Sequence, residues 1–231
     1  MKKSDRRFSI RSPGSTRGTE LTILHRRRFS IKKLEKLVPQ GGTKVSLWNV
    51  SPPRWPGTPD AKFRPEEMAL LLQRMYDFSQ ERAHLVLWMP ADELHQTMLQ
   101  PIDDLGMWCS QATIFSGSNK GMKIGYVFAR GPTPIDWENI ILPDTRQGSR
   151  SSIAMRFLIQ KLLGKQPDAW VYDTRRIAEP FMSGSAELAL WARRSGIHYI
   201  GYTGSKKVFE RVKEKLAQHE LPGIQMRLPA T

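Results

Sequence analysis

Two short segments combine residue types and spacing that can do chemistry. Ser51-Pro52-Pro53-Arg54-Trp55 directly follows the apolar run Lys44–Val50 (KVSLWNV). Consecutive prolines stiffen the chain and leave the Pro52 carbonyl without a helix or ladder partner. Ser51 sets an acceptor oxygen beside that carbonyl, and Trp55 adds a flat stacking surface. The two oxygens suit the two hydrogens of an exocyclic NH2 on a ring gripped by the indole. A rigid proline-rich turn accounts for the same residues without any chemistry. The second segment is Glu179-Pro180-Phe181-Met182-Ser183-Gly184-Ser185. Its small residues permit close backbone approach, and a helix beginning there offers free N–H groups. That pattern suits a nucleotide-like ligand and, equally, a tight strand-to-helix turn.

Other chemistries find no support. The five histidines show no metal-ligand spacing, so no metal site is expected. There is no Gly-x-Ser-x-Gly elbow, and Gly201–Lys206 lacks the Walker spacing. The single cysteine, Cys109, excludes a disulfide within the chain and reads as a small buried hydrophobe. It fits a reducing compartment.

The elements that must position the two segments read as alternating strands and helices. Strands are expected at Leu21–Leu24, Lys44–Val50, His84–Met89, about Arg176–Ala178, and His198–Tyr202. A short helix is expected at Ile31–Leu37. Pro65-Glu66-Glu67 opens another, whose apolar face is Met68, Leu71, Leu72, Met75 and Phe78. One more should run through Leu105 and stop at Gly106, with a bend at Pro101. Others are expected at Ser151–Leu163, Ala186–Ser195 and Lys206–His219. Trp108–Phe115 and Lys123–Ala129 flank a Gly/Ser/Asn-rich turn and read as an antiparallel hairpin supplying one antiparallel edge strand. Residues 131–150 read as a long loop. The fold class is α/β, a doubly wound, mostly parallel sheet covered on both faces. Such a fold places its ligand at the carboxyl ends of strands, where both segments stand. Trp88 and Trp191 lie on apolar faces as core residues.

Charge divides the chain unevenly. The net charge is +14 on 231 residues, with pI near 10.2. Residues 1–36 hold twelve Lys/Arg against three acids. Residues 1–19 are expected to be a flexible basic arm, 20–220 the α/β domain and 221–231 a C-terminal tail. Arg6-Arg7-Phe8-Ser9-Ile10 recurs as Arg27-Arg28-Phe29-Ser30-Ile31. Arg6, Arg7, Arg26, Arg27, Arg28, Lys32 and Lys33 are therefore candidate phosphate contacts on a nucleic acid. No apolar run approaches the length of a membrane span, and the N-terminus lacks the apolar core of a secretory signal. The expected location is cytoplasmic, in a bacterial, viral or mobile-element setting, with an organellar transit segment as the alternative.

Taken together and in this order, the segments resemble the permuted amino-methyltransferases that modify cytosine N4 or adenine N6 in DNA. In that family a Ser/Asp/Asn-Pro-Pro-aromatic loop precedes an Asp-Pro-Phe-x-Gly-Ser-Gly cofactor loop. Here Ser51-Pro52-Pro53 and Glu179–Ser185 match, and Ala189–Leu216 resembles the family segment after the cofactor loop. The resemblance covers about residues 21–219. It implies a Rossmann-like methyltransferase fold with S-adenosylmethionine as cofactor. It further implies Ser51, Pro52, Pro53, Arg54 and Trp55 as catalytic residues. Glu179, Phe181, Ser183, Gly184, Ser185 and Thr203 become cofactor contacts. Serine in the first position favours cytosine N4. The chain departs from the pattern with Arg54 for the aromatic residue, Glu179 for Asp, Ser-Gly-Ser for Gly-Ser-Gly, and Thr203 where an acid binds the ribose. Residues 131–150, read as a long loop, leave no room for a target-recognition domain between the hairpin and the next helix, so specificity is expected to be low or supplied by the arm, a second subunit or another protein. Two functions are consistent with this: an enzyme methylating a DNA base, with RNA as the other substrate, or an inactive relative serving as a nucleic-acid-binding structural or regulatory subunit.

Overall fold

The computed structural model describes residues 6–11, 20–25, 44–50, 65–90, 102, 106–118, 121–131, 140–142, 158–164, 166, 169–176 and 184–218. Among the described residues nine strands form one sheet: β1 (Arg6–Arg11), β2 (Glu20–His25), β3 (Val45–Val50), β4 (Ser79–Pro90), β5 (Trp108–Ser118), β6 (Gly121–Arg130), β7 (Ile140–Leu142), β8 (Trp170–Arg176) and β9 (His198–Thr203). Their spatial order is β1-β2-β9-β8-β3-β4-β6-β5-β7. The consecutive neighbours from β2 through β4 all pair in parallel. Helices α1 (Pro65–Asp77), α2 (Gly184–Arg194) and α3 (Lys206–Gln218) join a single π-helical turn, Leu158–Leu163.

The core lies in two layers, one on each face of the sheet. Leu47, Val86, Val171 and Tyr199 pack against Leu188 and Ala192 of α2 and Val208, Phe209, Val212 and Leu216 of α3. On the other face Val45, Trp48, Leu85 and Tyr172 meet Leu71, Leu72 and Met75 of α1. Helices on both faces are what a parallel sheet requires, because neither face then meets water. All six residues of β3 are buried for this reason, polar ones included. Specific partners hold the polar groups here: the Trp170 N–H donates to Ser46 Oγ at 3.0 Å. Trp48 Nε1 donates to Ser79 Oγ at 2.8 Å, and that hydroxyl donates onward to the Met75 carbonyl at 2.6 Å. Helix α2 stops in a Schellman cap: the Ile197 N–H reaches the Ala192 carbonyl at 2.8 Å, with Gly196 at φ 66°.

Several expectations need correction. Arg6–Arg11 is an edge strand, not free arm, because Phe8 and Ile10 register opposite Ile23 and Leu21 in an antiparallel pair. Ile23 of β2, the register partner of Phe8, is fully buried. The strand expected at Arg176–Ala178 begins six residues earlier, at Trp170. The hairpin does not supply a lone edge strand: β6 pairs antiparallel with both β4 and β5, and β7, from the expected 131–150 loop, closes that edge in parallel to β5. The described end of the Ser151–Leu163 helix is the π turn. Cys109 is only partly buried.

Candidate functional site

Strands β2, β9, β8, β3 and β4 run the same way, so their carboxyl ends share one edge of the sheet. The chain leaves β3 at Val50, immediately before Ser51, and leaves β8 at Arg176, three residues before Glu179. It leaves β9 at Thr203 and β2 at His25, and these two residues are register partners. The segments singled out from the sequence thus depart from adjacent strands at the same end. Ser51, Pro52, Pro53, Arg54, Trp55, Glu179, Phe181, Ser183, Arg26, Arg27, Arg28, Lys32 and Lys33 lie outside the described residues. Gly184 and Ser185 form the first residues of α2, with the helix N-terminus at this same end. Thr203 is fully buried at the close of β9, and its Oγ1 accepts the Ser205 N–H at 3.4 Å. Arg6 and Arg7 open β1, at the sheet's outer edge.

Just inside the strand ends lies a buried polar row that sequence reasoning missed. Asn49 of β3 and Asp173 of β8 are register partners, and both are fully buried. Trp88 Nε1 donates to Asn49 Oδ1 at 2.7 Å. An indole N–H only donates, so this contact fixes the orientation of the amide and leaves Nδ2 as its other end. Asn49 Nδ2 has no hydrogen-bond partner among the described residues. The Tyr199 hydroxyl donates to Asp173 Oδ2 at 3.2 Å. Close packing locks both aromatic groups. A Cβ on Gly125 would meet the Trp88 ring at 2.9 Å, and one on Gly201 would meet the Tyr199 hydroxyl at 2.5 Å. The signal for Asp173 was an acid closing the apolar run Ala169–Tyr172; without the register it reads as an ordinary strand-end charge.

Elsewhere on the sheet, burial holds His84 neutral, pushing its pKa down to about 4. Among the described residues no group of His, Cys, Asp or Glu could hold a metal ion, and no helix is long and apolar enough to cross a membrane.

The doubly wound, mostly parallel sheet is a Rossmann-like α/β fold, a class in which ligands sit at the carboxyl ends of the strands. In that fold the chain is similar to solved DNA methylases. The crystal structure of M1.HpyAVI superposes with a TM-score of 0.56 at 13% identity, over 85% of this chain and 99% of that one. The M1.HpyAVI–SAM complex gives 0.56 at 14% identity, over 85% and 98%. TTHA0409 of Thermus thermophilus, assigned as a DNA modification methylase, gives 0.59 at 14% identity, over 82% and 93%. No family model matches the sequence, and no curated protein matches it.

Proposed function

We propose that the protein transfers a methyl group from S-adenosylmethionine to an exocyclic amino group of a DNA base, cytosine N4 in preference to adenine N6. One observation carries this reading: the adjacent parallel strands β3, β8 and β9 end at Val50, Arg176 and Thr203, and in the sequence Ser51-Pro52-Pro53 follows the first of them directly and Glu179–Ser185 begins three residues after the second. The same sheet organisation is found in the methylase structures it superposes on. The unmet buried donor of Asn49 beside Asp173 leaves polar capacity at these ends that a polar ligand fits. Glu179, Phe181, Ser183, Gly184, Ser185 and Thr203 are the residues that would hold the cofactor, which supplies a sulfonium-activated methyl group when bound.

The protein's own part is to make a poor nucleophile reactive. The lone pair of a base's amino group is delocalised into the ring. Accepting its two N–H hydrogens at Ser51 Oγ and the Pro52 carbonyl draws that lone pair back onto nitrogen. The rigid Pro52-Pro53 unit holds both acceptors in one orientation, so little entropy is lost on engagement. The base must leave the helical stack to reach them, and Trp55 or Arg54 supplies the stacking surface that steadies it. Arg6, Arg7, Arg26, Arg27, Arg28, Lys32 and Lys33 grip phosphates, giving affinity with little sequence preference.

Calorimetry with S-adenosylmethionine, followed by a methyl-transfer assay on duplex DNA, tests the reading. Binding and transfer are expected, and Ser51→Ala should lower transfer by about a hundredfold or more while leaving cofactor affinity nearly unchanged. No binding at millimolar cofactor would overturn the enzyme and favour the inactive DNA-binding subunit.

A further inference from the structure

We infer that Asn49 and Asp173 together hold the amino-acid end of the cofactor, so that the acid contacting the ammonium group stands on strand β8 and not in the Glu179 loop. The inference rests on the function proposed above and assigns two residues that the sequence motifs passed over.

Three observations converge on this pair. Asn49 and Asp173 are register partners on neighbouring parallel strands, with Asn49 one residue short of the end of β3 at Val50. Both are fully buried, and Asn49 Nδ2 finds no acceptor among the described residues. A buried amide donor left unmet is costly, and folded proteins retain such groups where a ligand or an ordered water completes them. The amide is also not free to turn and relieve the cost. Its Oδ1 is held by the Trp88 indole, whose ring is fixed in turn against Gly125.

The chemistry of the pair selects the ligand. Asn49 Nδ2 presents N–H donors, and Asp173 presents a carboxylate already oriented by the Tyr199 hydroxyl. A donor beside an acceptor of negative charge matches a zwitterion: the ligand's carboxylate receives from Asn49, and its ammonium donates to Asp173. A neutral sugar or base edge would bring no cation to that carboxylate. The position is equally suited, because Asn49 precedes Ser51 by two places and its register partner Asp173 stands on the neighbouring strand that precedes Glu179–Ser185 in the sequence. Glu179, by contrast, stands six residues beyond Asp173.

The test compares S-adenosylmethionine with 5′-methylthioadenosine, which lacks the amino-acid group and the sulfonium charge, and reads this end from the change that each substitution makes in the ratio of the two affinities. Titration calorimetry on the full chain at pH 8 should show S-adenosylmethionine bound more tightly. Asp173→Asn should cut that affinity by about thirtyfold while leaving methylthioadenosine binding within about twofold. Asn49→Asp should lose affinity for the full cofactor at pH 8 and recover part of it towards pH 5.5, relative to the unaltered protein. Two adjacent carboxylates raise the pKa of one of them, and the protonated acid is again a donor. A merely structural role would lower the melting temperature and weaken both ligands alike. Tyr199→Phe keeps the charge and removes only the orienting hydroxyl. It serves if Asp173→Asn fails to fold, and should lower the preference for the full cofactor by about three- to tenfold.

Equal affinity of the unaltered protein for both ligands would overturn the inference while leaving the methyltransferase reading standing. So would variants that keep the preference intact, which would mean that a bound water completes Asn49. Failure of the unaltered protein to bind either ligand would instead remove the methyltransferase reading itself.

Discussion

His84 shows how a single buried group ties the sheet to solution conditions. It stands on β4 opposite Ala129, with its Nδ1 unpartnered among the described residues. Charging it inside the sheet would leave a cation without compensation, which is why burial pushes its pKa from 6.5 to about 4. Between pH 6.5 and 4 the unfolded chain takes up a proton that the folded chain refuses. Stability should therefore be flat above about pH 7 and fall as the pH drops through that window, by on the order of 3 kcal/mol at its lower end. Urea melts at pH 7.5, 5.5 and 4.5 would show the fall, and His84→Gln should flatten it. An unchanged slope in the variant would assign the loss to the carboxylates instead. Asn49 and Asp173 illustrate the complementary case, in which buried polarity is retained for a ligand. Neither is legible from residue type, because Asn in a strand and Asp at its end are common surface residues. Only the pairing of β3 with β8 sets them side by side in the dry interior.

The elements read from the sequence succeed where one strong local pattern decides and fail where a distant partner decides. Strand β3 is a continuous apolar run closed by Pro-Pro, and α3 carries Val208, Phe209, Val212 and Leu216 on one stripe. Both are legible to within a residue or so. Strand β8 is not, since Trp170–Tyr172 is short and the next residues, Asp173-Thr174-Arg175-Arg176, look like loop. Its extension comes from pairing with β3 on one side and β9 on the other. Strand β7, only three residues long, exists through its partner β5 alone. Both candidate loops are legible as strand exits, but the acid nearest the junction is hidden by the misplaced start of β8. Close packing between elements also makes a sharp prediction. Gly125 of β6 lies under the Trp88 indole with no room for a Cβ at 2.9 Å, and both neighbours are held by strand pairing. Gly125→Ala should destabilise the fold by about 1–3 kcal/mol by overpacking, and should disturb the Trp88–Asn49 hydrogen bond. Denaturant midpoints and the near-ultraviolet signal of the tryptophan would register both effects. A neutral substitution would mean that the indole can shift freely, and would weaken the case that it locks the amide.

At the scale of the whole molecule, the excess of positive charge acquires a location. The first 36 residues carry most of the net +14, yet Arg6–Arg11 is integrated into the sheet as its edge strand. Within this strand Ser9 is exposed, and its hydroxyl shares a 3.0 Å hydrogen bond with Thr22 of β2. A basic sequence on an edge strand serves two purposes at once. It discourages edge-to-edge association between copies, and it brings positive charge to a polyanion. The two can be separated experimentally. Replacing Arg7 and Arg11 by Gln removes charge but leaves the apolar pairs Phe8–Ile23 and Ile10–Leu21 in register. Melting temperature should then change little, while the slope of log affinity for duplex DNA against log salt falls by about 2, near 0.9 for each phosphate no longer neutralised. Deleting residues 1–19 should do more. It strips β1 from β2 and bares a strand edge, so stability falls and association rises alongside the weakened DNA binding. Fluorescence anisotropy across a salt series, with light scattering on the same samples, distinguishes the two variants. If the double Gln variant keeps the full salt slope, the charge of β1 serves solubility, and the DNA grip belongs to the Arg26–Lys33 segment.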